Sequence, residues 1–253
     1  MIDFETEGNV ALITMNRPEA RNAVNGAISR GLEDAIDRLE ADDSLWLGIL
    51  THTGPVFCAG ADLKAISEGR FSELSTERGG FGGIVLRERT KPLIAAIDGP
   101  ALAGGTEIAL TCDLRVASTA ARFGLPEVKR SLIAAAGGLI RLPRSIPLAI
   151  AMEMVITGDP IDAECAHQLG LINELCQPAE ALDAARRLAA RVNANGPLAV
   201  RESRRLVLES FNQTDAEAML AAGRAQMGLR NTEDFREGPL AFIEKRPPVW
   251  KGR

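Results

Sequence analysis

The chain has 253 residues, 46% of them hydrophobic and 25% charged, with a formal net charge of −5. That length supports one substantial core with an appended helical segment, and the acidic balance gives no electrostatic reason to expect binding to nucleic acid or an anionic membrane. The opening Met1-Ile2-Asp3-Phe4-Glu5 lacks the basic and apolar regions of a signal peptide and no apolar run reaches membrane-span length, so a cytoplasmic location is the expectation.

In chain order, Val10–Met15 reads as a strand and Asn16-Arg17-Pro18-Glu19 as a turn. A helix then starts near Asn22 or Asn25 and runs to about Glu40, with Ile28, Leu32, Ala35, Ile36 and Leu39 at helical spacing. Leu45–Leu50 is the next buried strand. Gly54 to Lys64 passes from strand through small residues to a helix start, where Asp62 supports the first turn and Ala59-Gly60-Ala61 expose backbone donors. Glu68 to Arg89, charged and rich in glycine, reads as a mobile loop or broken helix, and no strand leads into it at the spacing of a dinucleotide-binding fingerprint.

Pro92–Ile97 predicts a buried strand and Thr106–Cys112 a buried helix, so Gly104 and Gly105 sit where strand becomes helix. Free N–H groups and the positive helix end gather there, suited to a developing oxyanion. Glu107 lies in the first turn, where the dipole favours its ionised form, as a general base requires. A plain tight turn before a helix carries the same residues. Leu114–Ala117 is a short strand. Glu127 follows Phe123, Gly124, Leu125 and Pro126; an apolar setting would keep it protonated, and a solvated helix-start glutamate is the competing reading.

Pro147–Thr157 and Asp162–Gly170 read as helices, Leu171–Leu175 as a last strand, and the remainder as helical. One stripe there is Leu182, Ala185, Leu188, Ala189 and Val192, a second Leu206, Val207, Ser210 and Phe211, and a third helix covers Asp215 to about Leu229. The chain divides softly near Asn195-Gly196-Pro197 into an α/β part and a helical part whose apolar faces suit oligomerisation. Cys58, Cys112, Cys165 and Cys176 form no CxxC pair and have no His at ligand spacing. His52 and His167 stand far apart, so neither a zinc site nor a Ser-His-Asp triad is supplied.

Two segments, Phe57-Cys58-Ala59-Gly60-Ala61-Asp62-Leu63-Lys64 and Ala103-Gly104-Gly105-Thr106-Glu107-Ile108-Ala109, closely resemble the signatures of the crotonase (enoyl-CoA hydratase/isomerase) superfamily. Collinear support comes from Met15–Ala23, Phe123–Glu127, Gly137–Pro143 and Ala151–Gly158. The resemblance implies a crotonase-like α/β spiral of ββα units over residues 1–195 and a helical trimerisation region over 196–253. It also implies a homotrimer, or a hexamer as a dimer of trimers, and an acyl-CoA thioester substrate. By the same match, the amides of Ala61 and Gly104 polarise the thioester carbonyl. Ala59, Ala61 and Leu63 line the adenine site, and Ala20 and Arg21 lie near the pantetheine and phosphates. Phe242 and Lys245 complete the CoA site, often from the next subunit.

The match also gives Glu107 the activation of water for attack at Cβ and Glu127 the protonation of Cα. No metal or redox cofactor is implied, coenzyme A being part of the substrate. Two departures stand out: Ala135 replaces a family glycine that helps shape the water site, and Thr106 replaces a small or apolar residue before the first glutamate. The ending Glu237–Arg253 resembles that of carnitinyl-CoA dehydratases, which makes crotonobetainyl-CoA hydration the runner-up within the same chemistry. Double-bond isomerases and acyl-CoA hydrolases on this fold often keep only one carboxylate or move it, and the acidic balance argues against a CoA-binding paralogue associated with RNA.

Overall fold

A computed structural model describes residues 1–253. The chain opens with an antiparallel pair, β1 (Ile2–Glu7) and β2 (Val10–Met15). β1 carries little sequence signal, because it is a largely exposed, acid-rich strand at the sheet edge. α1 (Gly26–Ala41) begins at Asn25, whose Oδ1 accepts the N–H groups of Ala27 and Ile28 at 3.1 and 3.0 Å. Its face of Ile28, Leu32, Ile36 and Leu39 is fully buried, each side chain contributing about 1.5–3 kcal/mol. β3 (Leu47–His52) lies two residues later than the predicted Leu45–Leu50, because its register with β2 sets Leu47 opposite Val10 and His52 opposite Met15.

After the short helix α2 (Leu63–Ser67), the Glu68–Arg89 segment differs from the predicted loop or broken helix. A 3-10 turn (Phe71–Leu74) leads into a small hairpin of β4 (Ser75–Thr76) and β5 (Gly80–Phe81). Partners distant in sequence fix it. The Ser29 hydroxyl donates to the Leu74 carbonyl at 2.9 Å, and Arg78 pairs with Glu33 and Asp37 of α1 at 3.1 and 2.6 Å.

The core continues through β6 (Leu93–Ile97), β7 (Ala101–Leu102), α3 (Gly104–Thr111), β8 (Leu114–Ser118) and β9 (Arg122–Gly124), then a 3-10 turn (Pro126–Arg130). α4 (Gly138–Ser145), α5 (Leu148–Thr157), β10 (Ile161–Asp162), α6 (Ala163–Gln168), β11 (Glu174–Cys176) and α7 (Ala181–Asn193) follow. The main sheet has the order β1-β2-β3-β6-β8-β11 and is parallel from β2 onward. Its last strand pairs over Glu174–Cys176 rather than the predicted Leu171–Leu175; Leu171 and Ile172 are buried in the core just before it.

A second, thinner layer stands beside this sheet. Val24 bridges Ala61, Cys58 bridges Ala101, β7 pairs with β9, and β9 pairs with β10. The repeating unit is therefore a long strand in the main sheet, a short strand or single bridge in the second layer, and then a helix. This is the ββα spiral of a crotonase-like α/β fold.

α8 (Pro197–Ser210), α9 (Asp215–Leu229) and α10 (Glu233–Glu244) complete the chain. α8 is fastened to the core at Asp113, whose Oδ1 accepts Arg204 Nε at 2.8 Å. Asp113 Oδ2 accepts Arg89 Nη1 at 2.5 Å and the Leu93 N–H at 2.8 Å. α10 forms despite Gly238 and Pro239 in its interior, both poor helix residues. Gly238 leaves room for the Trp250 ring, and the indole N–H donates to the Ala194 carbonyl at 2.9 Å. No helix is long and apolar enough to cross a membrane.

Candidate active site

The second layer brings the two glycine-containing segments together. Phe57 donates its N–H to Pro100 at 3.0 Å and Leu102 donates to Cys58 at 3.0 Å, so the chain before Gly60 runs beside the chain before Gly104. Gly60, at φ +92°, is packed so closely that a Cβ there would meet the Ala103 Cβ at 2.8 Å and the Gly104 N at 3.2 Å. Around Ala61, Val24 donates to the Gly60 carbonyl at 2.8 Å and Asp62 to the Val24 carbonyl at 2.9 Å. Extended backbone alternates its polar groups, so the Ala61 N–H faces the opposite way. The Gly104 N–H opens α3, where no intrahelical acceptor exists. Both candidate oxyanion donors are thus left over by the fold.

The glycine pair also has a packing role. A Cβ on Gly104 would lie 2.4 Å from the Phe81 ring, and one on Gly105 would lie 2.1 Å from the Cys58 carbonyl oxygen. The missing side chains let β5 and the Cys58 strand pack directly on the first turn of α3. Ala103, just before it, is held at φ 53° and ψ −127°, a conformation costing a non-glycine residue about 1–3 kcal/mol.

Glu107 and Glu127 both lie near this turn, close enough for the Glu127 charge to act on Glu107. Glu107 is buried, and its Oε1 accepts the Gly138 N–H at 2.9 Å. Burial pushes its carboxyl up to about 7, aided by the nearby Glu127 charge and opposed by the Gly138 and Ala136 N–H groups and by Arg141. Loss of solvent thus opposes the ionised form that the helix start was expected to favour. Glu127 is half-buried at the 3-10 turn and is also pushed upward by burial. Its Oε2 is buried with no hydrogen-bond donor in reach.

The Gly138 N–H escaped the sequence reading, and Thr106 was noted only as a departure; its hydroxyl lies fully buried between Ala101 and Gly124. The Gly137-Gly138 pair opening a helix was the available signal for the Gly138 donor. Ala135, the departure noted above, is exposed, whereas Ala136 and Gly138 are the residues that approach Glu107. A Cβ on Gly138 would sit 2.9 Å from Leu125 Cδ1 and 3.1 Å from Glu107 Cγ and Oε1. Gly138→Ala is expected to displace the carboxylate and lower turnover by about 10²-fold, the cost of misplacing a reacting group by roughly 1 Å. Steady-state kinetics beside a circular dichroism spectrum of wild-type shape would check it.

The candidate CoA residues divide into two groups. Ala59 donates its N–H to the Arg21 carbonyl at 3.1 Å, which places Ala20 and Arg21 beside Ala59, Ala61 and Leu63. Arg17 braces this corner by pairing with Asp62 at 2.8 Å, and Asp62 caps α2 through the N–H groups of Lys64 and Ala65. Buried Asn22 ties it to the end of β3 by donating to the Thr53 and Val56 carbonyls. Phe242 and Lys245 stand apart: α10 has no extensive packing against α2 within the chain, and Phe242 is 85% exposed. Burial pushes the Cys58 and Cys112 thiols up to about 12, too high for a nucleophile at neutral pH. No three His, Cys, Asp or Glu side chains are grouped to hold a metal ion.

The family profile described as enoyl-CoA hydratase/isomerase matches residues 5–253. The chain belongs to the enoyl-CoA hydratase/isomerase family. It is 40% identical over 255 residues to an enoyl-CoA hydratase of Mycobacterium tuberculosis, covering 98% of this chain and 96% of that one. It is also 38% identical over 263 residues to a carnitinyl-CoA dehydratase of Proteus mirabilis, covering 100% and 98%. A crystal structure of an enoyl-CoA hydratase from Mycobacterium tuberculosis superposes with a TM-score of 0.96 at 48% identity, covering 100% of this chain and 99% of that one. The enoyl-CoA hydratase/isomerase relationship thus spans the spiral and the C-terminal helices alike.

Proposed function

We propose that this protein is a 2-enoyl-CoA hydratase that adds water reversibly and syn across the double bond to give the 3-hydroxyacyl-CoA. The observation that carries the reading is the pair Glu107 and Glu127, two carboxyls raised by burial and close enough for one charge to affect the other. The amides of Ala61 and Gly104 polarise the thioester carbonyl, a type of contact whose removal elsewhere costs about 10²–10³-fold in rate. Glu107, poised near 7, takes a proton from water as its oxygen attacks Cβ. Electrons move onto the thioester oxygen to form the enolate, and Glu127 delivers a proton to Cα as the carbonyl reforms. The hydration direction requires Glu107 ionised and Glu127 protonated, so that one proton is held between the two carboxyls at the start of the cycle. The step draws on no metal or redox cofactor.

Ala20, Arg21, Ala59, Ala61 and Leu63 supply the CoA-binding edge. Phe242 and Lys245 of a neighbouring subunit complete it, in keeping with the exposure of Phe242. Residues 1–195 form the catalytic spiral and residues 196–253 the assembly region of a homotrimer or hexamer, a reading supported by exposed Val207, Met219, Leu220 and Ile243 on the last three helices and Phe211 just after α8. The relative named carnitinyl-CoA dehydratase keeps crotonobetainyl-CoA as the alternative substrate within the same chemistry.

Purified protein is expected to hydrate crotonyl-CoA or a close analogue, read as loss of the enoyl-thioester absorbance. Folded, CoA-binding protein that is inactive across a panel of chain lengths would overturn the reading. Preference for crotonobetainyl-CoA over unbranched substrates would select the alternative. Glu127→Gln should abolish turnover while leaving CoA binding largely intact.

A further inference from the structure

Thr106 occupies a position that the proposed chemistry does not use directly. Its side chain is fully buried, and Oγ1 lies 2.6 Å from the Ala101 carbonyl oxygen, 2.9 Å from the Gly124 carbonyl oxygen and 3.1 Å from the Gly124 nitrogen. A hydroxyl has one proton and two lone pairs. It therefore donates to one carbonyl at a time, the shorter contact being to Ala101, while accepting the Gly124 N–H. Ala101 belongs to β7, Thr106 to α3, and Gly124 ends β9. The β7–β9 ladder stops at the Leu102–Gly124 pair, and the Thr106 hydroxyl continues the cross-link into the helix.

Glu107 is the next residue of α3, and Glu127 follows Gly124 by three residues. No other side-chain hydrogen bond joins α3 to the segment Arg122–Glu127. Ala103 donates its N–H to the Gly124 carbonyl at 2.9 Å, so the connection has one main-chain and one side-chain element. Valine has nearly the same shape as threonine but would remove the hydroxyl that ties α3 to Ala101 and Gly124, leaving only the main-chain ladder between them.

We infer that Thr106 is a positioning residue whose hydroxyl fixes the first turn of α3 against the end of β9, and so sets the spacing of Glu107 and Glu127. The inference rests on the two-glutamate hydratase reading for its kinetic consequence, though not for its structural one.

The test compares Thr106→Val and Thr106→Ser with wild type in steady-state hydration of an enoyl-CoA, and follows the side-chain carboxyls by carbon-13 NMR titration. Glu107 is faced by Glu127, Arg141 and the N–H groups of Gly138 and Ala136, so the spacing of its titration from that of Glu127 reports their separation. Thr106→Val is expected to lower kcat by about 10²-fold, with KM within about threefold, and Thr106→Ser to recover most of the loss. A kcat for Thr106→Val within about threefold of wild type would overturn the inference, as would a loss confined to KM or a serine variant no better than valine. If Thr106→Val does not fold, Thr106→Cys keeps a weak donor and acceptor of similar size. Its kcat is then expected to fall clearly, and a wild-type value counts against the role. If the wild type hydrates no enoyl-CoA, the functional proposal fails alone. Thr106 is then judged by the titration, where an unchanged interval between the two carboxyl steps overturns its role.

Discussion

Glu107→Gln is expected to raise the stability of the folded protein by about 3 kcal/mol at pH 8 while lowering turnover by about 10³-fold. The stability figure follows from burial raising the Glu107 carboxyl from 4.5 to about 7. The folded protein holds the proton more tightly than the unfolded chain does, so stability falls as pH rises through that interval. The cost begins near pH 4.5 and is complete above pH 7. Glutamine carries no charge and escapes it, so the advantage of the variant should shrink to less than about 1 kcal/mol near pH 5. Urea unfolding of both proteins at several pH values would measure this, and an advantage independent of pH would contradict the assignment. The kinetic loss is the middle of the range for removing a positioned acid or base.

Asp113→Asn should give the largest loss of stability. The carboxylate accepts from Arg89, Arg204 and the Leu93 N–H, and both guanidinium groups are largely out of solvent. Removing its charge leaves two buried cations without a counterion, at a cost of about 3–5 kcal/mol. Because Arg204 belongs to α8 and Leu93 to the main sheet, the loss spans the boundary between spiral and helical region. Chemical denaturation should give a lower midpoint, and a double-mutant cycle with Arg204→Met should give a coupling energy above about 0.5 kcal/mol. Additive effects would mean that α8 is held by other contacts.

Much of the fold was legible in its long elements. α1 declares itself through helical spacing, β6 through an unbroken apolar run, and α9 through a long stretch free of proline. Other elements depend on partners far away in sequence. β4 and β5 have two residues each, so no alternation can be read from them, and their position comes from Ser29, Glu33 and Asp37 on α1. α10 contradicts the local preference of Gly238 and Pro239, and the tail that packs on it lies more than ten residues away.

The candidate site divides in the same way. Glu107 beside a helix start and Glu127 after an apolar run were visible as residue types at suggestive positions. The direction in which Glu107 titrates was not, since it depends on how thoroughly the surrounding chain removes water. Nor could spacing reveal that Gly138, thirty-one positions downstream, donates to it.

The thin second layer, built from single bridges and two- or three-residue strands, has a consequence for how such a protein changes over time. Most buried apolar surface belongs to the main sheet and its helices, while alignment of the two glycine segments and the two carboxyls depends on the short stack. The hairpin reaches the candidate site through Phe81, whose ring lies on Gly104 and also packs against the main core, so substitutions there are expected to alter durability and selectivity together.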